Sequence, residues 1–480
     1  MLSIPALSAR RTRALLTLIG ACAALGAIGT APALADHSQL VFFEAPKQLY
    51  LPSTRPKTFA TLKRLGVKAL RVELHWNEAA SPQSPNSSRR PSFNAENPSS
   101  YNFAQYVAIV QEANRLKWPV LLTVTSPVPE WATSTRRDHV TRPNAKMYEE
   151  FMTAVGLQFG SSVDMFAIWN EPNIPGWLSP QFNANGTPAS PRIYRGLYQA
   201  GYAGLLAAGL KNPKVLFGET APFGVEHVNA RNESLKQEVA PLTFMREALC
   251  LNSHYRKSGS CGELQMYGYS THPYTYPSIQ GVTYRPPDPN QVTIGTLSRL
   301  SNALNLAADA HAIPAHLPIL LTEFGVQTKP NTEGVSLSEQ PEYQAAAEKI
   351  AWENPRVTAF SQYLLEDETA HSGGYGYRTG LETSSGAEKP LYQAWPIPLV
   401  VSRSGSGYSL WGLVRPAEGA TRIHLYVQAP GSSRWRSLRV VQTNSSGAWT
   451  LHSSTRGSRW KVSWRSPLGL VYNGPPIGVS

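Results

Sequence analysis

The stretch Met165-Phe166-Ala167-Ile168-Trp169-Asn170-Glu171-Pro172-Asn173 decides how the chain is read. A short apolar run without helical spacing, followed at once by polar residues, is the pattern of a strand buried on both faces where it opens into a loop. Pro172 lacks an amide hydrogen and has a fixed φ, so ladder pairing stops there. Glu171 is therefore expected at the C-terminal end of a buried strand. A second stretch, Pro318-Ile319-Leu320-Leu321-Thr322-Glu323-Phe324-Gly325, repeats the plan with Glu323.

Similar runs recur at 40–43, 69–74, 120–124, 214–217, 265–269 and 357–364, which makes eight with those at 165–169 and 319–321. Helix-period segments lie between them, for example 103–117, 147–159, 193–210, 297–310 and 343–352. Alternating strand and helix predicts a parallel sheet, and eight units over roughly 360 residues predict an α/β fold, a (β/α)8 TIM barrel at 36–395. An open doubly wound sheet is the competing fold, but no glycine-rich phosphate loop follows the first strand. The segments 81–100 and 274–290, rich in Pro, Ser, Asn and aromatic residues, are expected to wall a cleft above the barrel.

Residues 1–35 follow the three-part plan of a secretory signal: Arg10, Arg11 and Arg13, an apolar stretch at 14–29, then Ala33-Leu34-Ala35. The mature chain is expected to start near Asp36, secreted or associated with the cell envelope. A lipoprotein box around Cys22 and a twin-arginine signal at Arg10-Arg11 are alternatives within the same segment. No other segment approaches the ~18 apolar residues of a transmembrane span. In that compartment Cys250 and Cys261, which flank a polar loop, are expected to form a disulfide.

The formal charge of +12 is uneven. From 396 to 480, nine arginines and Lys461 face one acid, Glu418, so this segment alone carries +9. The composition also changes there, into short alternating stretches at 409–414, 423–427, 435–441, 448–452 and 461–464 separated by Gly and Ser. A small all-β module of the immunoglobulin- or fibronectin-like sandwich type is expected at 396–480. Arg434-Trp435-Arg436 and Arg459-Trp460-Lys461 interleave charge with rings, which strand alternation would send to opposite faces. Core rings under solvated arginines is one reading. The other is a basic face that holds an anionic cell-envelope polymer. Nucleic acid is not an expected partner of an exported chain.

Two carboxylates on separate rigid strands match the needs of glycosidic cleavage. One protonates the departing oxygen and the other attacks or stabilises the anomeric carbon. Asn170, beside Glu171, is expected to donate to a sugar hydroxyl. These residues resemble clan A glycoside hydrolases, in which Asn-Glu-Pro ends the fourth barrel strand and a second glutamate ends the seventh. The segment Trp169-Asn170-Glu171-Pro172-Asn173 looks like glycoside hydrolase family 39, and Thr322-Glu323-Phe324-Gly325 like family 5.

The resemblance implies a retaining hydrolysis of a β-linked polysaccharide or oligosaccharide, with Glu171 as acid/base, Glu323 as nucleophile, and no metal or organic cofactor. His272 and Tyr274 resemble the His-x-Tyr after the sixth strand, where the tyrosine orients the nucleophile and the histidine lines the sugar subsite. Arg71 is similar to the second-strand arginine that hydrogen-bonds the nucleophile and would lower its pKa. Among aromatic residues near the same end, Trp76, Trp131, Trp177, Tyr276, Tyr363, Tyr375 and Tyr377 are candidates to stack on sugar, Tyr363 where many clan members carry a tryptophan. Glu73, His75, Glu78 and Glu219 are read as supporting or solvated groups. A transglycosylase would share this signature, and a non-catalytic carbohydrate-binding surface protein on the same barrel is a third reading.

Overall fold

Strand alternation puts every second side chain inside the barrel, and the apolar runs divide accordingly. The computed structural model describes residues 39–229, 234, 237–276, 281–369 and 376–479. Eight parallel strands close in sequence order: β1 (Leu40–Glu44), β2 (Leu70–His75), β3 (Val120–Thr125), β4 (Met165–Ile168), β5 (Val215–Thr220), β6 (Gly268–Thr271), β7 (Ile319–Leu321) and β8 (Val357–Tyr363). β1 pairs with β8, which leaves no edge. A helix follows each strand: α1 (Arg55–Leu65), α2 (Ala104–Arg115), α3 (Ala145–Phe159), α4 (Ser190–Ala207), α5 (Pro241–Ala248), α6 (Leu297–Asp309), α7 (Gln340–Glu353) and α8 (Pro390–Ala394). The expected TIM barrel is present.

Inside the barrel, Phe42, Ala69, Leu121, Ala167, Leu216, Leu320 and Ala359 form an apolar plug. Two residues further along their strands, the same inward direction is taken by Glu44, Arg71 and Thr123, all buried. A polar layer thus rests on an apolar floor at the C-terminal end. The helices cover the outside through Leu62, Ile109, Phe151, Tyr194, Leu197, Leu304 and their neighbours.

The sixth strand runs from Gly268 to Thr271, not over 265–269. Tyr267 is exposed, whereas the polar Ser270 and Thr271 are fully buried, so the apolar run was displaced from the strand it announced. The disulfide Cys250–Cys261 closes the loop between α5 and β6. Among the described residues no helix is long and apolar enough to cross a membrane. The export signal with Cys22, and Tyr375, lie outside the described residues.

After α8 the chain forms two antiparallel sheets, β13-β10-β9 and β12-β11-β14-β15. Their strands are β9 (Leu399–Ser404), β10 (Gly407–Leu413), β11 (Arg422–Gln428), β12 (Trp435–Gln442), β13 (Ala448–Ser453), β14 (Arg459–Arg465) and β15 (Val471–Asn473). β9 and β15 were not evident in the sequence: β9 ends in Ser402-Arg403-Ser404, which reads as turn, and β15 has three residues. The sheets enclose Leu399, Leu410, Ile423, Leu425, Val427, Trp449, Trp460, Val462 and Trp464. On β14 the expected alternation holds, with Trp460 and Trp464 inside and Arg459 and Arg465 outside. On β12 it fails: Trp435 lies with the charges, its ring 4.7 Å below Lys461 Nζ. A register shift at Leu425/Tyr426 interrupts the β11–β12 pairing and with it the alternation.

The sandwich is fastened to the barrel. Arg415 is buried, pairs with Glu348 of α7, donates from Nε to the Trp395 carbonyl at 2.6 Å, and lies 4.1 Å above the Trp395 ring. Gly66 ends α1 at φ +84°, and a Cβ there would stand 2.5 Å from Pro416 N, so this seam requires glycine.

Candidate active site

The chain leaves β4 through two residues of positive φ, Trp169 (73°) and Glu171 (37°). That sharp turn is held from both sides. Asn170 N donates to Thr125 Oγ1 at 3.0 Å, and Glu171 N donates to the Glu219 carbonyl at 3.0 Å. Asn173 then clips the loop to β5, accepting from Ala221 N at 2.9 Å and donating to the carbonyls of Ala221 and Val239. Glu171 is thereby fixed over the barrel mouth.

Opposite it, Glu323 takes one hydrogen bond on each oxygen. Arg71 Nη1 donates to Oε1 at 2.8 Å and Tyr274 Oη to Oε2 at 3.0 Å. His272 Nδ1 lies 3.0 Å from Glu171 Oε1, within hydrogen-bond distance, and 3.6 Å from Glu323 Oε1. A Glu171 oxygen and a Glu323 oxygen stand within 4.8 Å of one another.

Arg71 is the centre of the polar layer, with no exposed side-chain surface. Besides Glu323 it reaches Glu44 Oε2 at 2.8 Å, Glu219 Oε2 at 2.6 Å, Glu73 Oε1 at 3.3 Å and Asn170 Oδ1 at 2.8 Å. With the oxygen of its amide committed to Arg71, Asn170 has its NH2 end left to donate.

One cation among so many carboxylates leaves negative charge in excess. Burial pushes Glu171 up to about 8, with help from the charge of Glu73 and against the pull of Arg71. Burial also lifts Glu323, to about 7, against His272 and Arg71. The arginine therefore does not hold Glu323 low, as expected from the sequence; burial outweighs it. Both carboxyl groups are thereby held above the usual carboxylate range, Glu171 by burial and Glu73, Glu323 by burial and Glu171. Glu44 is raised well above the usual carboxylate range by the same burial, and burial lowers His272.

The predicted residues divide by position. Glu171, Glu323, Arg71, Asn170, His272 and Tyr274 converge. His272 is fully buried, so it supports the carboxylates and does not line the cleft. Trp76 departs altogether: it is fully buried, stacked on Phe151 with ring centroids 5.1 Å apart, and belongs to the core behind the site with Trp131 and Tyr148. Its strand ends one residue earlier, and Tyr148 and Phe151 of α3 take up the ring together with Trp131. Tyr363 stays at the end of β8, its ring edge-to-face with Tyr377 and its hydroxyl donating to Glu368 Oε1 at 3.3 Å. Partly exposed rings remain at Trp177, stacked on His75, and at Tyr276, stacked on Phe223.

Glu44 at the end of β1 and Glu219 in β5 also belong to this centre through Arg71. Both follow apolar runs as Glu171 and Glu323 do, so the rule that found the pair applied equally to them.

Glu171, His272 and Glu323 bring three ligand-type atoms to within 4.8 Å, close enough for a cation. The guanidinium of Arg71, 2.8 Å from the same Glu323 oxygen, disfavours a second positive charge there. The arrangement suits a proton donor facing a nucleophile.

No protein-family model and no curated protein matches the chain. Solved structures do. A family 39 glycoside hydrolase from the gut symbiont Bacteroides cellulosilyticus WH2 superposes with a TM-score of 0.52 at 14% identity, over 87% of this chain and 79% of that one. A glucosidase from Croceicoccus marinus gives a TM-score of 0.51 at 12% identity, over 89% of this chain and 95% of that one. The chain shares their fold.

Proposed function

We propose that this chain is a secreted retaining O-glycosyl hydrolase that cleaves a β-linked polysaccharide or oligosaccharide, exported by residues 1–35. The observation that carries the reading is the approach of two buried carboxylates to within 4.8 Å at the ends of β4 and β7. Retaining enzymes set such a pair at about 5 to 5.5 Å, whereas inverting enzymes leave room for water at about 6.5 to 9.5 Å. Fold likeness to a family 39 glycoside hydrolase and a glucosidase supports the same reading.

In the first step a Glu323 oxygen attacks the anomeric carbon as the glycosidic bond breaks, and Glu171 gives its proton to the departing oxygen. Glu171, now ionised, takes a proton from water, which attacks the same carbon and releases Glu323. Asn170 is assigned the 2-hydroxyl of the sugar, and Tyr363, Tyr377 and Trp177 the walls. These steps use only the chain's own groups and water.

The test is to incubate purified mature protein with plant, fungal and bacterial-envelope glycans and chromogenic glycosides, and to follow the anomeric configuration of the products. Retention lost in Glu323→Gln supports the assignment; inversion refutes the nucleophile. Acceptor glycans that give lengthened products would indicate transglycosylation, and binding without turnover would indicate the non-catalytic reading.

A second part of the proposal concerns the sandwich. Arg422, His424, Arg459 and Arg465 are exposed on neighbouring strands β11 and β14, and among the described residues none is in an ion pair. Lys461 there sits between the Tyr426 and Trp435 rings. This face is assigned to an anionic cell-envelope polysaccharide. Retardation of Glu323→Gln in gels containing polygalacturonate, but not neutral glucan, checks it; equal mobility in both gels refutes it.

A further inference from the structure

On β5 Leu216 points into the barrel and Phe217 outward, so strict alternation sends Gly218 in and Glu219 out. The pairing with β6 breaks this rule. Gly218 pairs with Ser270 and Thr220 with Thr271, which leaves Glu219 as the extra residue of a bulge. Its φ is +47°, and that of Gly218 is +117°. A Cβ on Gly218 would stand 2.4 Å from the Ser270 carbonyl, so only glycine allows the bulge here. Ser270 Oγ secures it by accepting from Glu219 N at 3.0 Å. The bulge turns Glu219 inward.

Once inward, Glu219 makes contacts that reach both catalytic carboxylates. Its two oxygens take a fork from Arg71, Nε to Oε1 at 3.2 Å and Nη2 to Oε2 at 2.6 Å. Thr123 Oγ1 donates to Oε1 at 3.2 Å. The held guanidinium then presents Nη1 to Glu323. Meanwhile the Glu219 carbonyl accepts the backbone N–H of Glu171 at 3.0 Å. One residue thus fixes the acid through its backbone and the nucleophile through its side chain.

We propose that Glu219 is a positioning residue that sets the separation and the charge balance of Glu171 and Glu323. This rests on the glycosidase reading of the pair. A fork-to-fork contact constrains the guanidinium plane, which a single hydrogen bond does not. The contacts to Glu44 and Glu73 are one oxygen each and leave Arg71 free to pivot.

The groups facing this centre are Glu44 on β1, Arg71 and Glu73 on β2, Glu171 after β4, His272 and Tyr274 after β6, Glu323 after β7, Tyr363 on β8 and Tyr377 beyond it, and the charge of Glu238 after β5 also reaches Glu171. β3 contributes the hydroxyls of Thr123 and Thr125. Replacing Glu219 by glutamine removes one negative charge from this set. It also puts an amide NH2 against the Arg71 fork or leaves half of it unmet. Arg71 then shares its charge among fewer anions, and Glu323 ionises at lower pH.

The experiment compares wild type, Glu219→Gln and Ser270→Ala, the last removing only the hydroxyl that secures the bulge. The rate against pH is measured for each. In parallel, the buried carboxyl groups are titrated by NMR of protein carrying 13C-labelled glutamate, with Glu323→Gln identifying the Glu323 signal. Glu219→Gln is expected to lose kcat about a hundredfold, the size of effect a misplacement of about 1 Å produces, with KM little changed. Its Glu323 signal is expected to titrate at lower pH, with Ser270→Ala moving in the same direction by less.

A wild-type rate and an unmoved Glu323 midpoint in Glu219→Gln would overturn the assignment. A merely structural role would lower folded yield or thermal stability and leave that midpoint unchanged. If the wild type hydrolyses no glycoside, the hydrolase reading fails by itself, and the titration still decides whether Glu219 controls Glu323.

Discussion

Glu171 and Glu323 face each other with oxygens within 4.8 Å, yet the two carboxylates are held by different partners. Glu323 is gripped by Arg71 and Tyr274, whereas the Glu171 carboxylate meets His272 Nδ1. A nucleophile needs a fixed lone pair, whereas an acid/base must gain and lose its proton in each turnover.

Removing either carboxylate has distinct consequences. Glu171→Ala is expected to slow hydrolysis by about 10² to 10⁴-fold on natural glycosides, and far less where the leaving group needs no proton. Glu323→Gln should abolish turnover for both kinds of substrate. Comparing an aryl glycoside bearing an acidic phenol with an oligosaccharide separates the two roles.

Activity should be highest near neutral to mildly alkaline pH. The proposed mechanism needs Glu323 ionised and Glu171 protonated, so the acid limb is expected to follow the former, near about 7, and the base limb the latter, near about 8. The two limbs belong to the interacting pair as a whole. In Glu171→Ala the base limb should disappear for an activated aryl glycoside, which a pH–rate profile reads directly.

The same shift has a stability consequence of definite sign. Glu171 takes up its proton more readily folded than unfolded, so the folded state binds more protons between the usual glutamate range and about 8. Stability from this group is therefore present at low pH and lost as pH rises through that window. Glu171→Gln, which cannot ionise, should melt higher than wild type at pH above about 8. The difference should shrink on acidification, as calorimetry across the pH range would reveal.

Tyr274→Phe tests the second grip on Glu323. Deleting a hydrogen bond to a charged group costs about 1.5 to 3 kcal/mol, or roughly ten- to a hundredfold in rate. The loss should fall on kcat, with the pH of the acid limb rising because the carboxylate has lost a donor.

The seam between barrel and sandwich should behave as core. Arg415→Ala or Glu348→Ala leaves an unpaired buried charge, at a cost of about 3 to 5 kcal/mol. The double variant Arg415→Met with Glu348→Leu should recover most of that, because both charges leave together. Thermal melts of the three variants check it.

Much of this was written in the order of the residues. Eight apolar runs separated by helical periods allow few closed solutions, and Glu171 and Glu323 stand where such runs end. The charge of 396–480 was likewise plain, since it depends on composition alone. Both properties are local, read within a few residues of where they act.

Other features depended on the assembled barrel. Trp76 follows its strand as a site residue would, but Tyr148 and Phe151 of α3 draw it into the core. Burial, which no short stretch of sequence reports, raised Glu323 despite its arginine. Glu219 was sent inward by one extra residue in the β5–β6 register, and register arises from pairing between strands some fifty residues apart. Sequence determined which chemical groups reach the barrel mouth; desolvation and strand pairing, which exist only once distant segments meet, decided their charge and direction.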